Sequence, residues 1–204
     1  MNVNCQDSPL SWPLVKNGYS SIVKLLLEKN AKVNEYDMHG ITHICTASRN
    51  GHKSIVQLLP QIGAEVNACD NNIKTTPLLE ASRNGHESFF QLLLQSDAKV
   101  NAWDNNKTTP LLEACRNGHK NTVLLLLQKS AEVNSPDALR ATPLLAARKN
   151  GDQNTVQLLL QNGAMWWGRN ESSLGSLPKC FWKQCHLFLS NNAEMRSEQV
   201  PSIH

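Results

Sequence analysis

No stretch of this chain is long and apolar enough to cross a bilayer. Its longest aliphatic run is Val123 to Leu127, whereas a spanning helix needs about 20 apolar residues. The amino terminus, MNVNCQDSPL, has no basic region followed by an apolar core, so no secretory leader is expected. Charge of one sign is equally scarce. The formal net charge is +3, and no basic block of the kind that tracks a phosphate backbone occurs, which argues against nucleic acid as a partner. The six cysteines are scattered and form no disulfide framework; Cys45 and Cys115 stand among apolar residues, where a reduced thiol acts as a small hydrophobe. An intracellular protein is expected, in the cytoplasm with the nucleus as an option. No Gly-rich phosphate loop or nucleophile motif is present, so no catalytic residue or cofactor is assigned. Aromatic residues make up only 5% of the chain, so a large ring in a turn stands out.

What is present is repetition. TPLLEACRNGH at Thr109 to His119 recurs as TPLLEASRNGH from Thr76 and THICTASRNGH from Thr42, with a looser copy, TPLLAARKNGD, from Thr142. The threonines are 34, 33 and 33 residues apart, a period that signals stacked supersecondary units. In the best-formed unit, Thr109 and Pro110 read as helix N-cap and first helical residue. Glu113 lies near the helix start, where negative charge suits the dipole, and Gly118 ends the helix in a left-handed turn. Ala114 and Cys115 are small enough to admit a close neighbour. A second helix from about His119 carries Val123, Leu126 and Leu127 on one face, widened by Leu125. Two helices this short cannot bury so wide a stripe alone and need a neighbour on each side. An Ala-x-Val-Asn segment follows, with an aspartate four residues past the valine, an interval kept by Val3–Asp7, Val33–Asp37, Val66–Asp70, Val100–Asp104 and Val133–Asp137. Such a segment reads as an extended return into a turn stapled by side-chain hydrogen bonds.

These motifs resemble the ankyrin repeat. The resemblance covers roughly residues 1 to 165 and implies an all-α solenoid of helix-turn-helix units joined by hairpin-like turns. Residues 1–34 read as a degenerate first unit, followed by units at 35–67, 68–101, 102–134 and 135–165. Its usual activity is non-catalytic protein binding through a concave surface of turn tips and first helices. The family's histidine after Thr-Pro-Leu is replaced by Leu79, Leu112, Leu145 and Cys45. The turn glycine survives only as Gly40; Lys107 and Arg140 occupy its place, where the turn must lean on asparagine or tolerate strain. One extra residue lies within Asn71 to Thr75, and Pro60 replaces the last leucine of its stripe and is expected to shorten that helix. The first unit has lost three residues between Pro13 and Gly18, so a malformed first helix is expected.

Residues 166–204 do not repeat. Phe181, Trp182, Cys185, Phe188 and Leu189 form a helical stripe, so a capping helix is expected near 179–190. The bland alternative is a disordered tail from alternative splicing or a fragmentary gene model.

Candidate partner-binding residues fall in three groups. Arg49, Arg83, Arg116 and Arg148 align on the first helices and by the family architecture face the concave side. They either dock an acidic segment or pair at i, i+3 with Glu80 and Glu113 on a solvated face. Tyr36 and Trp103 precede the turn aspartate and read either as interface anchors or as rings lying flat on the next turn. Asn71, Asn72, Asn105, Asn106 and Arg140 fill the adjacent tips. His52, His86 and His119 recur one unit apart, as helix-start residues do, and Cys180 with Cys185–His186 lacks a fourth metal ligand, so no metal site is assigned. The leading function is a non-enzymatic adaptor or scaffold; the alternative is a substrate-recognition subunit of a ubiquitin-ligase-type complex.

Overall fold

A computed structural model describes residues 10–70 and 73–165 of the chain. The expected return at Val3 to Asp7, the tip residues Asn71 and Asn72, and the segment 166–204 with its expected helix and Cys180, Cys185 and His186 lie outside the described residues. Among the described residues ten helices follow one another in five pairs. They are α1 (Trp12–Lys16) with α2 (Ser20–Glu28), α3 (His43–Asn50) with α4 (Lys53–Gln61) and α5 (Pro77–Asn84) with α6 (Glu87–Gln95). The last two pairs are α7 (Pro110–Arg116) with α8 (Lys120–Gln128) and α9 (Pro143–Lys149) with α10 (Gln153–Gln161). The only ladder contact among the described residues is a single antiparallel bridge between Tyr36 and Thr42. The architecture is an all-α repeat solenoid.

Local chemistry starts and stops each first helix. The hydroxyls of Thr42, Thr76, Thr109 and Thr142 each accept the N–H three residues on, at 3.3 Å. Pro77, Pro110 and Pro143 then fill the first helical position, where a missing N–H costs nothing. Gly51 and Gly85 close α3 and α5 at φ 79° and 68°. In the first pair α1 is 5 residues long against 8 in α3, and the Ser11 side chain makes no cap. The helix forms nonetheless, because Leu10 and Val15 bury completely and Trp12 stacks on His43 at 3.7 Å.

The core is continuous from pair to pair. Val23, Val56, Phe90 and Val123, with Leu59, Leu93, Leu126 and Leu159, are fully buried on the second helices, each such side chain contributing about 1.5–3 kcal/mol. Ile55 and Phe89, one position earlier, are equally buried and widen the stripe beyond its sequence definition. First helices pack more closely on one another than second helices do. The cause is side-chain size: Ala47, Ala81, Ala114 and Ala147 face neighbours on the first layer, Phe89, Phe90 and the leucines on the second.

Two departures from expectation have physical causes. Pro60 does not shorten its helix: α4 has 9 residues, as α6 and α8 do, with Pro60 inside it. Only the bond that Pro60 would have donated is lost, and Ala64 N–H still closes the end on Leu59 O at 3.0 Å. Lys74, Lys107 and Arg140 adopt left-handed backbone at φ 55°, 57° and 62°, as Gly40 does at 73°. Each non-glycine residue there carries a strain of about 1–2 kcal/mol, tolerated because the surrounding turn fixes the conformation.

Candidate functional site

Each turn is built around its aspartate. The Oδ1 of Asp104 accepts the N–H groups of Asn106 and Thr108, both at 2.9 Å, while Lys107 N–H donates to Asp104 O. Asp37 and Asp137 do the same for His39 and Ile41 and for Leu139 and Ala141. Asp70 reaches Ile73 and Lys74, and its own N–H donates to Thr75 O, one residue further on than in the other turns. That span absorbs the extra residue. The tips are tied to one another as well: Asn105 N–H donates to Ile73 O at 2.9 Å and Ala138 N–H to Asn106 O at 2.8 Å.

This scaffold holds a row of large apolar groups in solvent. Trp103 is 65% exposed, Leu139 88% and Met38 92%. Tyr36, 46% exposed, carries the bridge to Thr42 on its backbone, and Ile73 is also exposed. Trp103 and Tyr36 thus stand beside tips carrying Met38, Ile73 and Leu139, three positions that the sequence alone does not single out. Asn105, Asn106 and Arg140 are exposed on the same tips.

The arginines occupy a different environment. Glu80 is 1% exposed, and its Oε1 accepts Arg49 Nη2 at 2.8 Å and Arg83 Nη1 at 3.3 Å. Arg83 Nη2 reaches Glu113 Oε1 at 3.4 Å, and Arg116 bonds Glu113 at 3.2 Å and Asp137 at 2.9 Å. Asp104 lies 3.9 Å from Arg83. The result is an alternating chain, Arg49–Glu80–Arg83–Glu113–Arg116–Asp137, that runs from α3 to the turn before α9. The i, i+3 pairs exist, yet their carboxylates are buried rather than solvated, and each guanidinium also reaches into the next unit. Arg148 is half-buried on α9. Hydrogen bonding to Glu80 raises the already high pKa of Arg49.

Two further ladders fix the units in register. His52, His86 and His119 each stand just before a second helix without a side-chain cap bond, and each Nε2–H donates instead to a carbonyl of the preceding pair: Lys16 at 2.7 Å, Arg49 at 3.1 Å and Arg83 at 3.0 Å. The rings lie so close over the preceding glycines that a Cβ on Gly85 would sit 2.5 Å from His119. Where the fourth copy has Asp152 instead, Asn150 takes over and donates to Arg116 O at 2.6 Å, while Asp152 caps α10. The asparagines of the Val-Asn returns bridge onward with both amide atoms. Asn34 donates to Gly63 O and accepts from Glu65 N–H, both at 2.9 Å, and Asn67 and Asn134 repeat the pattern. Equal spacing of histidine and asparagine was the sequence signal for these couplings.

The missing histidine after Thr-Pro-Leu is compensated unequally. Cys45 points its thiol at Ala68 O and Thr75 O, at 3.6 and 3.8 Å, whereas Leu79 and Leu112 are packed away from water with no polar replacement. Burial pushes the Cys45 and Cys115 thiols up to about 12, so neither is a poised nucleophile. Among the described residues no cluster of three or more His, Cys, Asp or Glu side chains fits a metal ion.

A family model described as ankyrin repeats, in three copies, matches residues 12–104, 44–137 and 102–170. No curated protein matches the chain.

Proposed function

The chain belongs to the ankyrin-repeat family, and from that premise we propose that it is a non-enzymatic adaptor or scaffold that binds a partner protein across its turn tips and first helices. Ankyrin repeats generally mediate protein–protein interaction. The observation that carries the reading is Trp103, two-thirds exposed on a tip row that is otherwise held rigid by backbone bonds. Large rings on a rigid support lose little entropy on binding and make strong anchors. Tyr36 is the second anchor. Asn71, Asn72, Asn105, Asn106 and Arg140 supply polar contacts around the anchors. Arg49, Arg83, Arg116 and Arg148 form the floor of the surface; the pairing of Arg49, Arg83 and Arg116 holds the floor in one shape and leaves partial exposure for an incoming acidic group. A rigid array of this kind binds with little backbone movement.

No helix among the described residues is long and apolar enough to cross a membrane. The free thiols Cys45, Cys69 and Cys115 support a reducing compartment, cytoplasm or nucleus. The test is affinity capture from cells with the wild type, with Tyr36→Ala/Trp103→Ala, and with Leu25→Ala/Leu124→Ala, which removes equally exposed leucines from second helices. Loss of the same captured proteins with the first variant alone supports the reading; equal recovery with all three contradicts it.

A further inference from the structure

Two departures from the repeat meet at one place on the second helices. Pro60 stands where the other four units have Leu27, Leu94, Leu127 and Leu160, and it forgoes a helical bond. Asp97 takes the left-handed position after α6, at φ 62°. Its equivalents are Asn30, Gly63, Ser130 and Gly163, so Asp97 is the one charged side chain at that position. Glycine would carry such a backbone without strain. Both residues border a groove of about 450 Å³ between α4 and α6. Local costs gathered on one surface are the mark of a site that something else uses.

The lining selects the chemistry of the occupant. Val56, Ala64 and Val66 make a buried apolar floor, and Pro60 and Leu92 stand half-buried beside it. Gln57, Gln61 and Gln95 are exposed along the groove, and their amides bond no other described residue. Each amide offers a carbonyl and an NH2, the complement of a peptide N–H and C=O. A helix has already paired those backbone groups internally, whereas an extended segment presents them. Asp97 is exposed and forms no ion pair among the described residues. No Lys, Arg or His lines the groove among the described residues. The residue just before the left-handed position is Lys29 or Lys129 in two other units, but Ile62 and Ser96 in the two that flank the groove. The carboxylate is thus left open to a cation from outside.

We propose that this groove docks an extended segment of a partner protein. The segment sets one aliphatic side chain beside Pro60 and Leu92, bonds its backbone to the three glutamines and places a Lys or Arg against Asp97. The site lies on the second-helix layer and is independent of the tip surface proposed above.

The test is fluorescence anisotropy of the full chain with labelled Gly-Ser-Lys-Leu-Lys-Ser-Gly, in which a cation flanks the leucine on each side. Competitors are the same peptide with serine for leucine, the same peptide with glutamates for lysines, and n-hexylamine, which has the apolar body and the cation without peptide groups. The wild type is expected to bind the lysine-leucine peptide about tenfold more tightly than any competitor. Pro60→Leu fills the groove and should weaken binding about tenfold with no fall in thermal midpoint, which separates blocking from unfolding. Asp97→Asn keeps a residue that tolerates left-handed backbone and should weaken binding about threefold at low salt and less at high salt. Gln57→Ala/Gln95→Ala, two exposed helical changes, should also weaken it, and Tyr36→Ala/Trp103→Ala should leave it unchanged. No binding up to about 1 mM, equal affinity for any competitor, or wild-type affinity in both Asp97→Asn and Gln57→Ala/Gln95→Ala overturns the groove proposal. Loss of binding in Tyr36→Ala/Trp103→Ala also overturns it, by moving the peptide to the tips.

Discussion

Replacing Glu80 with glutamine should weaken the array far more than a surface change of the same size. Glu80 is 1% exposed and receives two guanidinium bonds on one oxygen, from Arg49 at 2.8 Å and Arg83 at 3.3 Å. Glutamine keeps the volume and one acceptor oxygen, so no cavity opens. The change replaces two ion-pair hydrogen bonds with bonds from charged donors to a neutral amide oxygen, a difference of about 1 kcal/mol per bond. The guanidiniums are roughly a third exposed and regain some water, which places the net loss at about 1–2 kcal/mol rather than the 3–5 kcal/mol of a fully buried broken pair. Urea denaturation followed by helical circular dichroism measures it, with the slope checked for loss of cooperativity, since repeat arrays depart from two-state behaviour. Arg49→Gln/Glu80→Gln completes a double-mutant cycle, in which a coupling of about 1 kcal/mol is expected. A loss below about 0.5 kcal/mol for Glu80→Gln would show that the ladder is ordinary surface pairing and refute the reasoning.

Pro60→Leu is expected to raise stability by about 1–3 kcal/mol, because it restores a helical bond and fills part of a groove of about 450 Å³ lined by Val56, Pro60, Ala64 and Leu92; an unchanged or lower thermal midpoint contradicts this. His43 should make stability fall on acidification. Burial lowers its pKa below 6.5, outweighing the carbonyls of Leu10 and Val33 and the weaker pull of Glu35 and Asp37. The unfolded state then binds the extra proton first, so stability is full above about pH 6.5 and drops below it, by at most about 1.4 kcal/mol per pH unit until the folded ring also titrates. His43→Gln should flatten that part of the profile, and an unaltered profile counts against the assignment. Cys45 and Cys115, both pushed up to about 12 by burial, should resist iodoacetamide at pH 8 in the folded protein while half-buried Cys69 reacts; mass spectrometry showing equal labelling refutes it.

The sequence carried the fold well because its signals are local and repeated. Thr-Pro caps, glycine stops and the leucine stripe act within a few residues, and each recurs where the same bond forms. Pro60 escaped because a helix held by neighbours on both sides tolerates a missing bond that a free helix would not. The network of Arg49, Arg83 and Arg116 was half legible. Pairs at i, i+3 show in one unit, but burial of Glu80 and the reach of each arginine into the next unit depend on stacking. Trp103 and Tyr36 were visible as rings in turns. Met38, Ile73 and Leu139 were not, because an apolar residue in a turn is exposed or buried according to neighbours 33 positions away. The histidine and asparagine ladders were visible as spacing without a role, since their acceptors are backbone carbonyls that no residue type marks.

The central claim is that the tips form the binding surface, and site-specific photocrosslinking inside cells tests it most directly. A benzophenone amino acid at position 103 or 139 of the full chain reports proteins within a few ångströms of the tips, and the same group at position 124 reports the second-helix layer, where Leu124 is also exposed. The account predicts discrete adducts from 103 and 139, diminished by Tyr36→Ala, and none of the same species from 124. Adducts that form equally from 124, or only from 124, would place the partner elsewhere and contradict it.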